Sequence, residues 1–294
     1  MKKVLITGSN GQLGLELNNI LKYKYELILT NRSNLDITNF NETIEFINKH
    51  KPEIIINCAA FTAVDLCETQ EETAYSSNAL GPKNLAIASS QIGAKLVHIS
   101  TDYVFDGDGI KDLNGNIRPY TEEDKTNPQS AYGRTKLEGE KLVTEHTNKY
   151  FIIRTAWLYG EGKNFVRTMI NLAKTNSEVK VVQDQIGSPT STEELSNMIE
   201  KLIETENYGI YHGTCEGYCS WYDLTCEIYR VLDIKTKVIP VTTDEFPRPA
   251  KRPKYSVLEN KKLNELNIYK FKEWQEALII YLEKDQKTYK GDIK

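Results

Sequence analysis

The chain has 294 residues, 39% of them hydrophobic and 27% charged, with a net charge of −4 at pH 7. This is the composition of an ordinary globular protein, and it gives no reason to expect a nucleic acid or a membrane surface as partner. Five cysteines (Cys58, Cys67, Cys215, Cys219, Cys226) lack a framework spacing and have no histidine or fourth cysteine to complete a zinc set, so a reducing cytoplasm and no metal site are expected.

Val4, Leu5 and Ile6 predict a first strand, buried on both faces, that starts too early to leave room for a signal peptide. Gly8, Gly11 and Gly14 follow, and then Leu13, Leu17, Ile20 and Leu21 recur at helical spacing. A strand, a glycine turn and a helix N-terminus together favour an anion, with Gly8, Asn10, Gly11, Gln12, Leu13 and Gly14 around a dinucleotide pyrophosphate. "YELILT" reads as a second strand, 40–50 as a helix, Pro52–Ala60 as a third strand and 71–92 as one long helical stretch. A fourth strand over 94–100, a loop over 106–128, a helix over 130–145 and the strand "YFIIRTA" complete a doubly wound parallel α/β pattern. The second half predicts helices near 164–175, 190–206, 219–232 and 272–285, strands near 179–183 and 209–214, and a frayed polar tail. With no linker-like segment, residues 1–155 are expected to bind the dinucleotide. Residues 156–294 are expected to form mainly a substrate-binding region packed on them, with some chain crossover and a cleft between.

At the end of the second strand a carboxylate would bind an adenosine ribose diol, but the chain reads Thr30-Asn31-Arg32. Arg32 can meet a 2′-phosphate, which favours NADPH with NADH as the alternative; it can equally be a solvated loop residue. Asp36 or Thr38 can cap the following helix, and Asp36 and Ile37 fall beside the adenine. Ala59 and Ala60, after the third strand, leave room for the cofactor. Tyr132 and Lys136, four apart on a helix, share one face, and an ammonium there would lower the phenol's pKa for acid–base work. Upstream, "HISTDYVFDG" ends a strand in Ser100, Thr101 and Asp102, where either hydroxyl can orient a carbonyl that Tyr132 protonates. His98 reads as a hydrogen-bonded core residue.

The segments "GSNGQLG", "CAAFTAVDLCE", "STDYVFDG", "YGRTKLEGE", "RTAWLYG", "DQIGSPTS", "YHGTCEGYCSWYDL" and "RPAKRPKYSVLEN" span nearly the whole chain. In them it resembles the extended short-chain dehydrogenase/reductases, and within that group the dTDP-4-dehydrorhamnose reductase family. The G-x-x-G-x-x-G spacing is typical of the larger group. The resemblance implies NADPH-dependent reduction of the 4-keto group of dTDP-6-deoxy-L-lyxo-4-hexulose to dTDP-L-rhamnose, with Thr101, Tyr132 and Lys136 catalytic. It also implies that Thr62, Val64, Thr101, Asp102, Tyr103, Tyr132 and Trp157 surround the nucleotide sugar, though Trp157 alone could be core. Arg248, Lys251 and Arg252 offer charge for a diphosphate or are plain surface, and Trp221 and Tyr222 read as packing residues. Some relatives place Mg2+ at a subunit contact, which would go with a homodimer; isolated carboxylates such as Glu16 and Glu68 do not establish it. Sugar-nucleotide 4,6-dehydratases carry Asp-Glu where this chain has Asp102-Tyr103, which argues against elimination. An epimerase, a reductase of another keto sugar and a non-catalytic cofactor-binding subunit stay open as alternatives.

Overall fold

A computed structural model describes residues 1–112 and 114–284. The first half runs β1 (Lys3–Thr7), α1 (Gln12–Leu21), β2 (Glu26–Leu29), α2 (Phe40–His50), β3 (Ile54–Asn57), α3 (Gly81–Ile92), β4 (Lys95–Thr101), α4 (Ala131–His146) and β5 (Tyr150–Thr155). The second half adds α5 (Phe165–Ala173), β6 (Glu178–Val182), α6 (Thr192–Ile203), β7 (Gly209–His212), α7 (Trp221–Leu232), β8 (Lys237–Val241) and α8 (Trp274–Lys284). Apart from Lys284, the polar tail expected to fray lies outside the described residues.

The expected doubly wound α/β architecture is present as a six-stranded sheet in the order β7-β5-β4-β3-β1-β2, with every neighbouring pair parallel. The chain goes from β1 to β2 on one side and then crosses to β3 on the other. A crevice therefore opens at the C-terminal ends of β1 and β3, where the order reverses. Period-two alternation sends successive residues to opposite faces. Val4, Ile6, Ile54, Ile56, Val97 and Phe151 pack with Leu13, Leu17 and Leu21 of α1 and with Met198 and Ile199 of α6. Leu5, Ile55, Leu96 and Ile152 pack with Ile47 of α2, Leu85 of α3 and Val143 of α4. Each such side chain contributes about 1.5–3 kcal/mol of burial, which fixes the register of the strand ends that carry the site.

Three expectations are corrected by the structure, and one strand beyond those expected is added. The third strand is shorter than Pro52–Ala60 because the chain turns away after Asn57 toward the crevice. The stretch 71–92 is not one α-helix, since a π turn at Ser76–Leu80 interrupts it. Pro82 has no N–H to give the Asn78 carbonyl. α4 crosses closely there, and a Cβ on Gly139 would come 2.1 Å from that oxygen. Residues 190–191 pair with 158–159 and 219–220 with 186–187, so α6 and α7 begin later than expected, capped by Ser191 and Ser220. Finally, β8 pairs in parallel with β6. Pro240 speaks against a strand there, but the ladder has two strands and leaves an open edge for it.

Candidate active site

The glycine turn is shaped by contacts that only glycine permits. Gly8 has φ of +63°, and a Cβ there would come 2.7 Å from the Ala59 nitrogen. A Cβ on Gly14 would come 2.5 Å from the Gly8 carbonyl oxygen, so α1 rests directly on the turn. Gly11 is the N-cap and brings no side chain to the free N–H groups of α1. Bare donors, a helix dipole and close backbone suit a pyrophosphate, so the residues present fit a dinucleotide. Gly8, Gly11, Gln12, Leu13 and Gly14 line the cavity, whereas Asn10 is exposed and lies off its wall.

At the tip of β2, Thr30 is buried and donates to the Ile6 carbonyl at 3.3 Å. Arg32 projects into solvent, its side chain 79% exposed and 3.8 Å from the Asp36 carboxylate. Asp36 accepts from the Thr38 N–H at 3.0 Å and its hydroxyl at 2.8 Å. The expectation that Asp36 or Thr38 caps α2 is not met: Asn39 does, accepting from the Glu42 N–H at 3.2 Å, because the helix starts only at Phe40. Arg32, Asp36, Ile37, Ala59 and Ala60 all line the cavity.

The chemistry-bearing end lies where β4 meets α4. Ser130 caps α4 and Glu68 accepts from the Ala131 N–H at 2.9 Å, which fixes where the helix begins. A Cβ on Gly133 would come 2.2 Å from the Tyr103 carbonyl oxygen, so α4 presses on the turn that follows β4. This apposition brings the Thr101 hydroxyl beside the Tyr132 phenol. Thr101 also donates to Asp102 Oδ1 at 2.8 Å. Ser100, the other candidate, donates to Glu140 at 2.5 Å, and Glu140 is held by Arg154 through bonds of 2.9 and 2.7 Å. Buried as they are, these groups leave Thr101 as the hydroxyl that meets Tyr132.

The electrostatics correct one expectation. Burial, with Asp102 adding to it, holds the Tyr132 phenol above its ordinary pKa, against a smaller downward pull from the Thr101 hydroxyl. Lys136 is itself almost fully buried, and that burial pushes it down to about 8 against the pull of Glu140. Its Nζ donates to the Ile99 carbonyl at 2.6 Å and lies 3.4 Å from His98 Nε2. His98 is a buried, hydrogen-bonded core residue, as expected. Burial raises Asp102 to about 6, and its Oδ2 is buried without a partner.

Across the cavity stands a wall from the second half. Trp157, with φ of +49°, stacks on Trp221 with ring centroids 3.4 Å apart and planes 7° from parallel. A Cβ on Gly187 would come 2.4 Å from the Trp157 ring, so the backbone there presses directly on the indole. Trp221 thus does more than pack: its ring also lines the cavity. Arg252 lines it too, paired at 2.8 Å with Asp65, a residue the sequence did not single out. Arg248 lies at the rim over the Phe246 ring, while Lys251 is exposed and off the wall. Thr62, Val64, Asp102 and Tyr103 line it as well. The cavity has a volume of about 1210 Å³, more than a single drug-sized ligand fills. Among the described residues, no three His, Cys, Asp or Glu side chains gather into a metal site. Nor, among them, is any helix long and apolar enough to cross a membrane.

A solved dTDP-4-dehydrorhamnose reductase from Clostridium acetobutylicum is 55% identical, with a TM-score of 0.93 over 97% of this chain and 99% of that one. One from Bacillus anthracis, solved in complex with NADP, is 44% identical, with a TM-score of 0.92 over 97% of this chain and 100% of the other. The spore coat polysaccharide biosynthesis protein SpsK of Bacillus subtilis is 42% identical over 285 residues, covering 96% of this chain and 98% of its own. The family model described as the RmlD substrate binding domain matches residues 1–287, and the chain belongs to that family.

Proposed function

We propose that this chain uses NADPH to reduce the 4-keto group of dTDP-6-deoxy-L-lyxo-4-hexulose, giving dTDP-L-rhamnose. The observation that carries the reading is one continuous cavity with the glycine turn at one end and the paired Thr101 and Tyr132 at the other. Membership of the family and the reductase names of the relatives support the substrate, and the NADP held by the Bacillus anthracis relative supports the cofactor. Residues 1–155 bind the cofactor and 156–294 mainly the sugar nucleotide, with β7 crossing back to the sheet.

The bound nicotinamide supplies a hydride to the keto carbon. Tyr132 gives its phenolic proton to the oxygen, and the burial that raises its pKa keeps that proton in place until the oxygen needs it. Thr101 shares the developing oxyanion. Lys136 holds the nicotinamide ribose. Trp157, with Trp221 behind it, walls the sugar, and Arg252 meets the diphosphate. At the other end, Arg32 meets the 2′-phosphate beside a strand tip that carries no carboxylate. Hydride, proton and oxyanion contacts are thereby all assigned, and Mg2+ has no part in this scheme.

The test follows NADPH by absorbance while the keto sugar is consumed. A reductase uses one NADPH per sugar converted. Product without net loss of NADPH would mean an epimerase, and no turnover with any nucleotide-linked keto sugar would leave a cofactor-binding subunit.

A further inference from the structure

Behind Lys136 runs a line of side-chain contacts that the reaction above does not use. Thr7 Oγ1 donates to Asn57 Oδ1 at 2.7 Å, and the Ala59 N–H donates to the same oxygen at 3.2 Å. A backbone N–H can only donate, so the orientation of the Asn57 amide is fixed. Its Nδ2 then faces His98 Nδ1 at 3.1 Å, and this nitrogen too can only donate. His98 Nδ1 must accept, and a neutral imidazole then carries its one proton on Nε2. Nε2 looks at Lys136 Nζ, 3.4 Å away. The ring has no exposure, and burial together with Lys136 keeps it neutral.

An ammonium on Lys136 therefore meets the imidazole donor to donor, whereas a neutral amine receives the Nε2–H on its lone pair. The other titratable groups around Lys136 do not reverse this preference. Glu140, one turn along α4, favours the charge but is committed to Ser100 and Arg154. Cys58, at the end of β3, is a thiol pushed up to about 12 by burial, and Tyr132 on α4 keeps its proton.

We propose that His98, locked by Asn57 in the tautomer protonated on Nε2, is a positioning residue that makes Lys136 a ready proton donor during reduction. Giving its proton to the keto oxygen leaves Tyr132 a phenolate. Lys136 then gives one N–H proton to that phenolate, which restores the phenol, and the amine left behind accepts a hydrogen bond from His98 Nε2–H, which keeps its proton. A proton from water restores the ammonium. Only the kinetic part of this inference rests on the reductase reading.

Three measurements test it. Long-range ¹H–¹⁵N correlation on the ¹⁵N-labelled wild-type chain reads the tautomer, with His98 assigned by its loss in His98→Gln. Protonation on Nε2 is expected, and protonation on Nδ1 would overturn the proposal whatever the variant does. With lysine labelled at Cε, the Lys136 titration midpoint is expected near 8 in the wild type, where burial pushes it. In His98→Gln, whose amide can turn its oxygen to the ammonium, the midpoint should rise by about one unit, a tenfold gain in proton affinity. The alkaline fall of kcat should move with it. An unmoved midpoint, or a kcat lowered equally at every pH, means a merely structural histidine. If the midpoint moves but no keto sugar is reduced, the reaction reading fails and the coupling stands.

Discussion

Gly133→Ala is a one-carbon test of how Tyr132 is aimed. The added Cβ would sit 2.2 Å from the Tyr103 carbonyl oxygen and 3.0 Å from the Pro128 ring. Comfortable carbon contacts lie near 3.5–4.0 Å, so α4 and the turn after β4 must part by more than about 1 Å. Both sides are backbone or a fixed ring, so no flexible side chain can absorb the displacement. Tyr132 and Lys136 ride on α4, and Thr101 and Tyr103 ride on the other side of the gap. A misplacement of that size costs about 100-fold in rate. Alanine gains up to about 1 kcal/mol of helix propensity over glycine, while overpacking costs about 1–3 kcal/mol. The net effect on stability is therefore small and the effect on turnover is not. Steady-state kcat and thermal melting on one preparation should show roughly 100-fold slower turnover with a fold that still melts cooperatively. A kcat within a few-fold of wild type would refute the idea that this contact aims the phenol.

Tyr132→Phe keeps the ring and removes the transferable proton, so kcat should fall about 10²–10⁴-fold while cofactor binding and melting temperature hold; near-normal turnover would deny the proton to this phenol. Arg32→Ala should weaken NADPH by about 1.5–3 kcal/mol and leave NADH nearly untouched, measured as KM for each; an equal loss for both would remove Arg32 from the 2′-phosphate. Asp102 has a pKa raised by burial to about 6, so the folded chain holds a proton that the unfolded chain releases near 4, and stability is lost as pH rises between those values. Asp102→Asn should accordingly stabilise the fold at pH 8 by at most about 3 kcal/mol, with the gain vanishing below pH 4 in chemical denaturation; a gain independent of pH would contradict the buried charge.

The features legible in the sequence are those in which local chemistry dictates geometry. A glycine triplet between a buried strand and a helix has few uses other than close backbone approach, and Gly8 and Gly14 occupy such contacts. Tyr132 and Lys136 share a face because a helix has 3.6 residues per turn. What stayed hidden depends on distant partners. Ser100 and Thr101 are adjacent hydroxyls, and only Glu140 on α4, held in turn by Arg154, separates their tasks. Trp221 opens an amphipathic helix and reads as core until Trp157 is found stacked on it. The direction of the Tyr132 shift was misread for a related reason: spacing shows that a lysine is near, but not that burial outweighs it. Lys136 spends its charge on the Ile99 carbonyl instead.

The sixth strand of the sheet carries a consequence for what can be cut from this protein. β7 comes from residues 209–212 and pairs along β5 from Phe151 to Arg154, two strands that the chain separates by more than fifty positions. Ending the chain after β5 would strip that cover and bare a row of backbone donors and acceptors on a strand that is otherwise buried, a template for pairing with other copies. The region proposed to grip the sugar is thus also the seal on the sheet proposed to grip the cofactor. The two should therefore behave as one material, melting in a single cooperative step and yielding no stable cofactor-binding fragment, with loops at the crevice as the places where selection can change specificity without opening the edge.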